Sequence, residues 1–180
     1  MTTLTQRHPL TRNAAIAFGG SIALALSAQL ALPLTPVPVT FQTMMLLVLA
    51  IFTSPGVAAS AAVMYLIEGA LGIPVFAEFS GGLMYLLGPT GGYLLAFPVA
   101  VFVGSMIAYN KNSFWRILLA GLVMTVITLI AGTLFLSHFV GITAAITLGV
   151  APFVLTEIIK VLAVAFGVSA PKRLSTKKSA

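Results

Sequence analysis

Long apolar stretches, separated by short polar or glycine- and proline-rich segments, make up most of this chain. They lie at residues 13–32, 43–52, 57–71, 94–109, 117–139 and about 142–168. We expect the last helix to begin near Pro152, because proline fits a first helical turn, where its missing N–H has no partner. The pattern predicts membrane-spanning helices. We therefore expect an all-α, polytopic membrane protein, a bundle of six transmembrane helices.

Charge adds an orientation to this picture. Charged residues make up 7% of the chain, against about 25% in soluble domains, and the mean hydropathy is +1.12. Apart from Lys160, the basic residues cluster at the N-terminus, at residues 111–116 and at the C-terminus, and such clusters mark cytoplasmic segments. Four crossings before Lys111 and two after Arg116 then place both termini in the cytoplasm. We expect residues 1–180 to form a single integral membrane domain with cytoplasmic tails at 1–12 and 171–180.

Composition also excludes several classes of function. The net charge of +6 is divided among separate segments, so we expect no nucleic-acid partner. The chain has no cysteine and no aspartate, and neither histidine has an acidic neighbour in sequence. We therefore expect no catalytic residues, no metal site and no cofactor. No glycine-rich loop is followed by Lys-Ser/Thr, so we do not expect this chain to hydrolyse ATP through such a loop.

The first apolar stretch has two interpretations. A basic start before an apolar run is typical of a signal peptide, but this run is long for one and the rest of the chain is equally apolar. We expect it to be retained as the first helix. Small residues recur on it at every fourth position, at Ala15, Gly19 and Ala23. Such a stripe permits close helix contact, either inside this bundle or with a partner.

Two irregular segments interrupt the helices. Residues 33–39 contain three prolines and favour an extended chain, and residues 72–92 are rich in glycine and contain Glu78. Irregular backbone at membrane depth is tolerated where protein buries it or where it lines a cavity. The six-helix topology places both segments, with the start of the last helix, on the outer side. We expect an external pocket there, with aromatic side chains from Phe41, Phe76, Phe79, Tyr85, Tyr93 and Phe153.

Glu157 and Lys160 are the charged residues of the last apolar stretch. A charge at bilayer depth costs about 2.5–3.5 kcal/mol on insertion scales. Residues at i and i+3 share one face of a helix, so both side chains can enter the same pocket. The alternative is a mutually neutralised pair that only packs helices together.

Several motifs together resemble the BioY family. They are PVPVTFQ at 36–42, Glu68-Gly69, GIPVF at 72–76, GPTGGY at 88–93, and Pro152-Phe153 followed by Lys160. The resemblance covers about residues 13–170. It implies the biotin-specific substrate-binding (S) component of an energy-coupling-factor (ECF) transporter, a multi-pass protein of the bacterial cell membrane. Its expected partners are biotin, the lipid bilayer, a transmembrane T component and two ABC-type ATPases, although some family members have been proposed to act without them.

The resemblance also implies roles for individual residues. Glu157 would accept from the ureido N–H groups of biotin, and Lys160 would donate either to the ureido carbonyl or to the valerate carboxylate. Further ligand contacts are expected from Glu78, Tyr93, Gln42, Thr40 and Phe79. The surface of Ala15, Gly19 and Ala23 matches the one that meets the T component. The family's last motif usually has aspartate where this chain has Glu157.

Two other classes of function stay open from the residues. An ion- or proton-coupled secondary carrier for a small amphipathic anion would use Glu157 and Lys160 as a proton relay, and would work without another chain. A membrane-embedded transferase is less compatible with the sequence, which shows no nucleophile–base pair.

Overall fold

The computed structural model describes residues 9–111 and 113–176, and helices make up most of that part. Arg7 and the rest of residues 1–8, together with residues 177–180, belong to the expected tails and lie outside the described residues. In chain order the elements are α1 (Pro9–Gln29), β1 (Ala31–Leu32), β2 (Val39–Thr40), α2 (Gln42–Phe52), α3 (Pro55–Ala70), α4 (Leu83–Leu86), α5 (Gly91–Ala108), α6 (Phe114–Val140), α7 (Ile142–Gly149) and α8 (Ala151–Thr176).

The first helix is displaced from its predicted position. It begins at Pro9, inside the expected tail, and ends at Gln29, so the prediction of a helix to residue 32 was wrong. Residues 31–32 instead pair antiparallel with residues 39–40, with Ala31 opposite Thr40. Pro33 explains the difference, because the residue before a proline disfavours the helical conformation. Residues 31–40, called the outer hairpin below, thus return the chain over the bundle.

The segment before the last helix was also predicted wrongly. The last helix was expected to begin near Pro152 with no separate helix before it, but α7 occupies Ile142–Gly149 and packs against α6 and α8. Ala145 is fully buried in this contact. The run ITAAITLG is apolar enough to be stabilised by packing, which overrides its modest helix propensity.

The glycine-rich loop, residues 71–90, packs against the bundle through the aromatic side chain of Phe76. Phe76 is fully buried, lies edge-on to Tyr65 of α3 with ring centroids 5.4 Å apart, and stacks on Tyr85 at 5.1 Å. A Cβ on Gly69 would lie 1.9 Å from Cζ of Phe76. The glycine therefore leaves the space that this ring fills.

The short helix α2 lies at the centre of the bundle. It contacts α1, α3, α5, α6 and α8, and more than half of its residues are buried. Helices α6 and α8 are in close contact beside it. Gly121 makes this contact possible, since a Cβ at that position would lie 2.6 Å from Cγ1 of Val161. Small residues permit such approach between helices in lipid.

Three described segments are long and apolar enough to cross a membrane. They are Gly91–Ala108, Phe114–Val140 and Ile142–Ala170, and the last of them includes both α7 and most of α8. The apolar helices α2 and α3 have 11 and 16 residues. At 1.5 Å per residue they are about 16 and 24 Å long, shorter than a hydrocarbon core of about 30 Å. The count of six crossings, the cytoplasmic termini and the single-domain organisation stay predictions.

The absence of native cysteine makes the orientation testable. We expect Ser113→Cys, in the turn between α5 and α6, to react with a membrane-impermeant maleimide only after the membrane is opened. Leu34→Cys, exposed at the outer hairpin, should react in intact cells. Labelling both variants in whole cells and in inverted vesicles measures this. Reaction of both from the same side would contradict the six-crossing topology.

Candidate functional site

A cavity lies beneath the outer hairpin, between α2, α5, α6 and α8. Its empty volume is about 540 Å³, part of which is open to solvent. The lining is mainly apolar and aromatic, with a few hydroxyls, one amide and one carboxylate. It consists of Val37, Pro38, Thr40, Gln42, Thr43, Ala77, Tyr85, Thr90, Tyr93, Leu94, Phe97, Thr128, Leu129, Phe153 and Glu157.

Glu157 supplies the carboxylate of this cavity. Its Oε1 accepts hydrogen bonds from Lys160 Nζ at 2.5 Å and from Thr43 Oγ1 at 2.8 Å. Within the described residues, no hydrogen bond reaches Oε2. Glu157 is 4% exposed. One oxygen is thus held by the protein, while Oε2 has no hydrogen-bond partner among the described residues; Glu157 lines both this cavity and a smaller neighbouring space.

Lys160 lies behind Glu157 and does not line the cavity. Its ammonium group donates to the carbonyl of Thr40 at 2.6 Å, to Thr43 Oγ1 at 3.1 Å and to Glu157 Oε1. An ammonium group has three donors, and all three are used here. The sequence-based role of Lys160 as a ligand contact stays a prediction. In this structure the side chain instead joins α8 to α2 and to the outer hairpin.

Thr43 is a site residue that sequence reasoning missed. It lies in the first turn of α2, half-buried, and lines both the cavity and a smaller space below the Glu157–Lys160 pair. Threonines are frequent in this chain, so residue type alone does not separate Thr43 from the others. Its position directly after the PVPVTFQ motif of residues 36–42 was the available signal.

Thr40 and Gln42 both line the cavity, and their roles as ligand contacts stay predictions. Thr40 Oγ1 donates to Gln42 Oε1 at 2.8 Å, and Gln42 Nε2 donates to the hydroxyl oxygen of Tyr65 at 2.6 Å. All three side chains are buried. The network fixes the end of the outer hairpin to α3, so the polar groups of Thr40 and Gln42 are held in defined orientations.

Tyr93 forms part of an aromatic wall. Its ring stacks on Phe153 with centroids 5.7 Å apart, and its hydroxyl donates to the carbonyl of Gly149 at 2.9 Å. Val37 and Val39 of the outer hairpin belong to the same buried cluster. The wall therefore joins α5, α7 and α8 to the segment that covers the cavity.

Glu78 lies farther out. It lines an outer groove with the prolines of the hairpin, and this groove shares Pro38, Tyr85 and Thr90 with the cavity. Burial raises the pKa of Tyr85 above its ordinary value, and nearby Glu78 acts in the same direction. The side chain of Tyr85 thus lies between the groove and the cavity and lines both.

Phe79 is not brought to the cavity. It is 73% exposed, and Phe41 is 48% exposed. Glu78 and Phe79 both have positive φ, 57° and 56°, a conformation that is uncommon outside glycine. Gln29 holds this turn, since its Oε1 accepts from the N–H of Phe79 at 2.9 Å and its Nε2 donates to the carbonyl of Phe76 at 3.0 Å.

The small-residue stripe of α1 lies on the side away from the bundle core. Ala15 and Gly19 are exposed, and Ala23 is half-buried. A Cβ on Gly19 would have no atom within 4 Å. The opposite face of α1 packs on α2 and α3, so the stripe is available to lipid or to a partner.

The geometry is that of a binding cavity. Among residues 9–111 and 113–176, no group of three His, Cys, Asp or Glu side chains is placed to hold a metal ion. The polar groups that line the cavity can accept and donate hydrogen bonds, and the aromatic wall can contact an apolar ligand body.

Comparison with known proteins assigns the family. A model of the BioY family matches residues 1–177. The chain belongs to the BioY family. The probable biotin transporter BioY of Pyrococcus horikoshii is 39% identical over 136 residues, which cover 76% of this chain and 81% of that protein. The biotin transporter BioY of Thermotoga maritima is 35% identical over 156 residues, 86% of this chain and 92% of that protein.

A solved structure shares the fold of this BioY family member. The crystal structure of the S-component for biotin from an ECF-type ABC transporter aligns with a TM-score of 0.78 and 19% identity, covering 94% of this chain and 95% of that one. The family resemblance and the fold class predicted from the sequence are thus confirmed. The relatives named here are described as transporters, which does not favour the enzyme alternative.

Close packing against Tyr93 makes the aromatic wall testable. A Cβ on Gly132 would lie 2.2 Å from Cδ1 of Tyr93, so Gly132→Ala must displace the ring. Overpacking of this kind costs about 1–3 kcal/mol. We expect the melting temperature of the purified protein in detergent to fall by several degrees. Gly19→Ala is the matched control and should leave the melting temperature unchanged or slightly higher. Equal melting temperatures for the two variants would contradict the packing described.

Proposed function

We propose that this chain binds biotin in the cavity beneath the outer hairpin and acts as the substrate-binding component of an ECF-type uptake transporter. The observation that carries the proposal is Glu157, whose carboxylate lines an otherwise largely apolar cavity in a BioY family member. The names of the relatives support biotin as the ligand.

The chemistry of biotin fits this cavity. Its ureido ring presents two N–H donors and one carbonyl acceptor, and we infer that Glu157 Oε2 accepts from one of the N–H groups. The thioether ring and the valerate chain are apolar, which suits Leu94, Phe97 and Leu129. We infer that Tyr93 and Phe153 contact the ring system and that Thr40 and Gln42 contribute polar contacts near the hairpin. Glu78 and Phe79, outside the cavity, are less suited to contact a fully bound ligand.

We infer that the ligand enters from the outer side. The outer groove and the cavity meet at Pro38, Tyr85 and Thr90, which supports a path between the hairpin and the glycine-rich loop. Val37 and Val39 are buried above the cavity, so the hairpin has to shift when biotin enters.

The source of energy is proposed to lie in other chains. The sequence contains no phosphate-binding loop with the Lys-Ser/Thr that ATP hydrolysis requires. We propose that a T component and two ABC-type ATPases act with this chain in the bacterial cell membrane. The exposed stripe of α1 supports a helix-packing interface with the T component.

Loss of the Glu157 carboxylate should weaken biotin binding. Hydrogen bonds to charged groups contribute about 1.5–3 kcal/mol, so Glu157→Gln should raise the Kd by about ten- to a hundredfold. Calorimetry of the purified chain in detergent, with biotin and a des-carboxy analogue, measures this. Comparing the two ligands in the native protein also shows whether the cavity recognises the biotin carboxylate.

Two further variants control for misfolding. Glu68→Gln makes the same chemical change outside the cavity, where the Glu68 carboxylate accepts from Ser21 at 2.8 Å, and should leave the Kd unchanged. Glu157→Gln with Lys160→Met removes both buried charges, so that no ammonium group is left unpaired. This double variant should fold, and it should bind biotin more weakly than the native protein. Native-like affinity in this double variant would refute a ligand contact by Glu157.

The partner surface should be separable from the cavity. Gly19→Leu places a bulky side chain on the exposed stripe, where close helix contact needs a small residue. We expect the variant to bind biotin normally but to lose co-purification with a co-expressed T component. Ile22→Leu, an exposed conservative change on the same helix, should retain it. Normal co-purification of Gly19→Leu would place the interface elsewhere.

A further inference from the structure

Among residues 9–111 and 113–176, Thr43 is the one side chain that bonds to both members of the buried ion pair. Its hydroxyl lies 2.8 Å from Glu157 Oε1 and 3.1 Å from Lys160 Nζ. An ammonium group can only donate and an ionised carboxylate can only accept, so the direction of both bonds is determined. The Thr43 proton goes to Glu157, and its lone pair accepts from Lys160.

This arrangement distinguishes the two oxygens of Glu157. Both protein donors, the hydroxyl of Thr43 and the ammonium of Lys160, are on Oε1. The carboxylate cannot rotate without breaking the bond to Thr43, which comes from a different helix. Oε2 is therefore the oxygen left for a donor in the cavity.

Through Lys160, the hydroxyl of Thr43 is linked to the outer hairpin, which covers the cavity. Lys160 also donates to the carbonyl of Thr40 at the end of the outer hairpin, three residues before Thr43. Thr43 and Thr40 thus give Lys160 two acceptors on one short stretch of chain. The position of the ammonium group depends on both, and the position of the carboxylate depends on the ammonium group.

We propose that Thr43 is a positioning residue for ligand recognition: it holds Glu157 with Oε2 toward the cavity and keeps Lys160 bound to the outer hairpin. Thr43 need not contact the ligand to do so. The choice of biotin as the ligand rests on the proposed function, but the orientation of the Glu157 carboxylate can be measured without any ligand.

The first readout is affinity. Thr43→Val keeps the size of the side chain and removes the hydroxyl, so we expect the Kd for biotin to rise by about ten- to a hundredfold. Thr43→Ser keeps the hydroxyl and should stay within about threefold of the native Kd. Thr53→Val, at the opposite end of α2, removes a hydroxyl that bonds locally to the carbonyl of Leu49 and should have no effect.

The second readout is the infrared carboxylate band of Glu157 in the ligand-free protein. The chain has three acidic side chains, Glu68, Glu78 and Glu157, so the band can be assigned by its loss in Glu157→Gln. Thr43→Val should shift this band, Thr43→Ser should restore it, and Thr53→Val should leave it in place. A purely structural role for Thr43 would not produce this pattern.

The outcomes separate the two proposals. If the native protein binds no biotin, the proposed function fails, and the infrared series still decides whether Thr43 positions Glu157. If biotin binds and Thr43→Val changes neither the Kd nor the band, the positioning role is refuted. The positioning role would also be refuted if Thr43→Ser weakened biotin binding as much as Thr43→Val, because the hydroxyl would then not be the group responsible.

Discussion

The buried pair of Glu157 and Lys160 constrains the rest of the site. The two residues are 4% and 8% exposed in an apolar bundle, so neither charge is hydrated in the usual way. A buried pair is tolerated when the remaining donors and acceptors also find partners. Lys160 meets this condition with one backbone carbonyl, one hydroxyl and one carboxylate oxygen. The partners come from three elements, and satisfying the ammonium group therefore ties α8, α2 and the outer hairpin together.

This constraint fixes one end of the hairpin that covers the cavity, because the Thr40 carbonyl belongs to the charged network. The network loses several contacts if any member moves. The rest of the hairpin packs through the buried side chains of Val37 and Val39, whose apolar contacts are less directional. Glycines at the back of the site, Gly132 and Gly149, leave space for Tyr93, so the aromatic wall is set by packing. Under the proposed function, directional recognition falls on few atoms, above all on Glu157 Oε2.

Sequence reasoning reached much of the fold because the signals were strong and local. The apolar stretches identified α2, α3, α5 and α6 to within a few residues, and Pro152 marked the start of α8. It failed where short segments depend on tertiary contacts. The strand at Ala31–Leu32 needs its partner at residues 39–40, and α7 is stabilised by α6 and α8. Of the residues expected from motifs to contact the ligand, Glu157, Thr40, Gln42 and Tyr93 line the cavity, whereas Phe79 does not.

By itself, the sequence determined the class of protein, the family and the presence of a charged pair in an apolar helix, because composition, motifs and i,i+3 spacing are properties of the chain alone. Only the tertiary structure decided which groups satisfy that pair. The distance from Thr43 to Glu157 spans 114 positions in sequence, and helix periodicity carries no information across such a separation. The same holds for the contact of Lys160 with Thr40. The physical reason is that a buried ammonium group takes whichever acceptors packing brings within reach, and packing is set by the whole bundle.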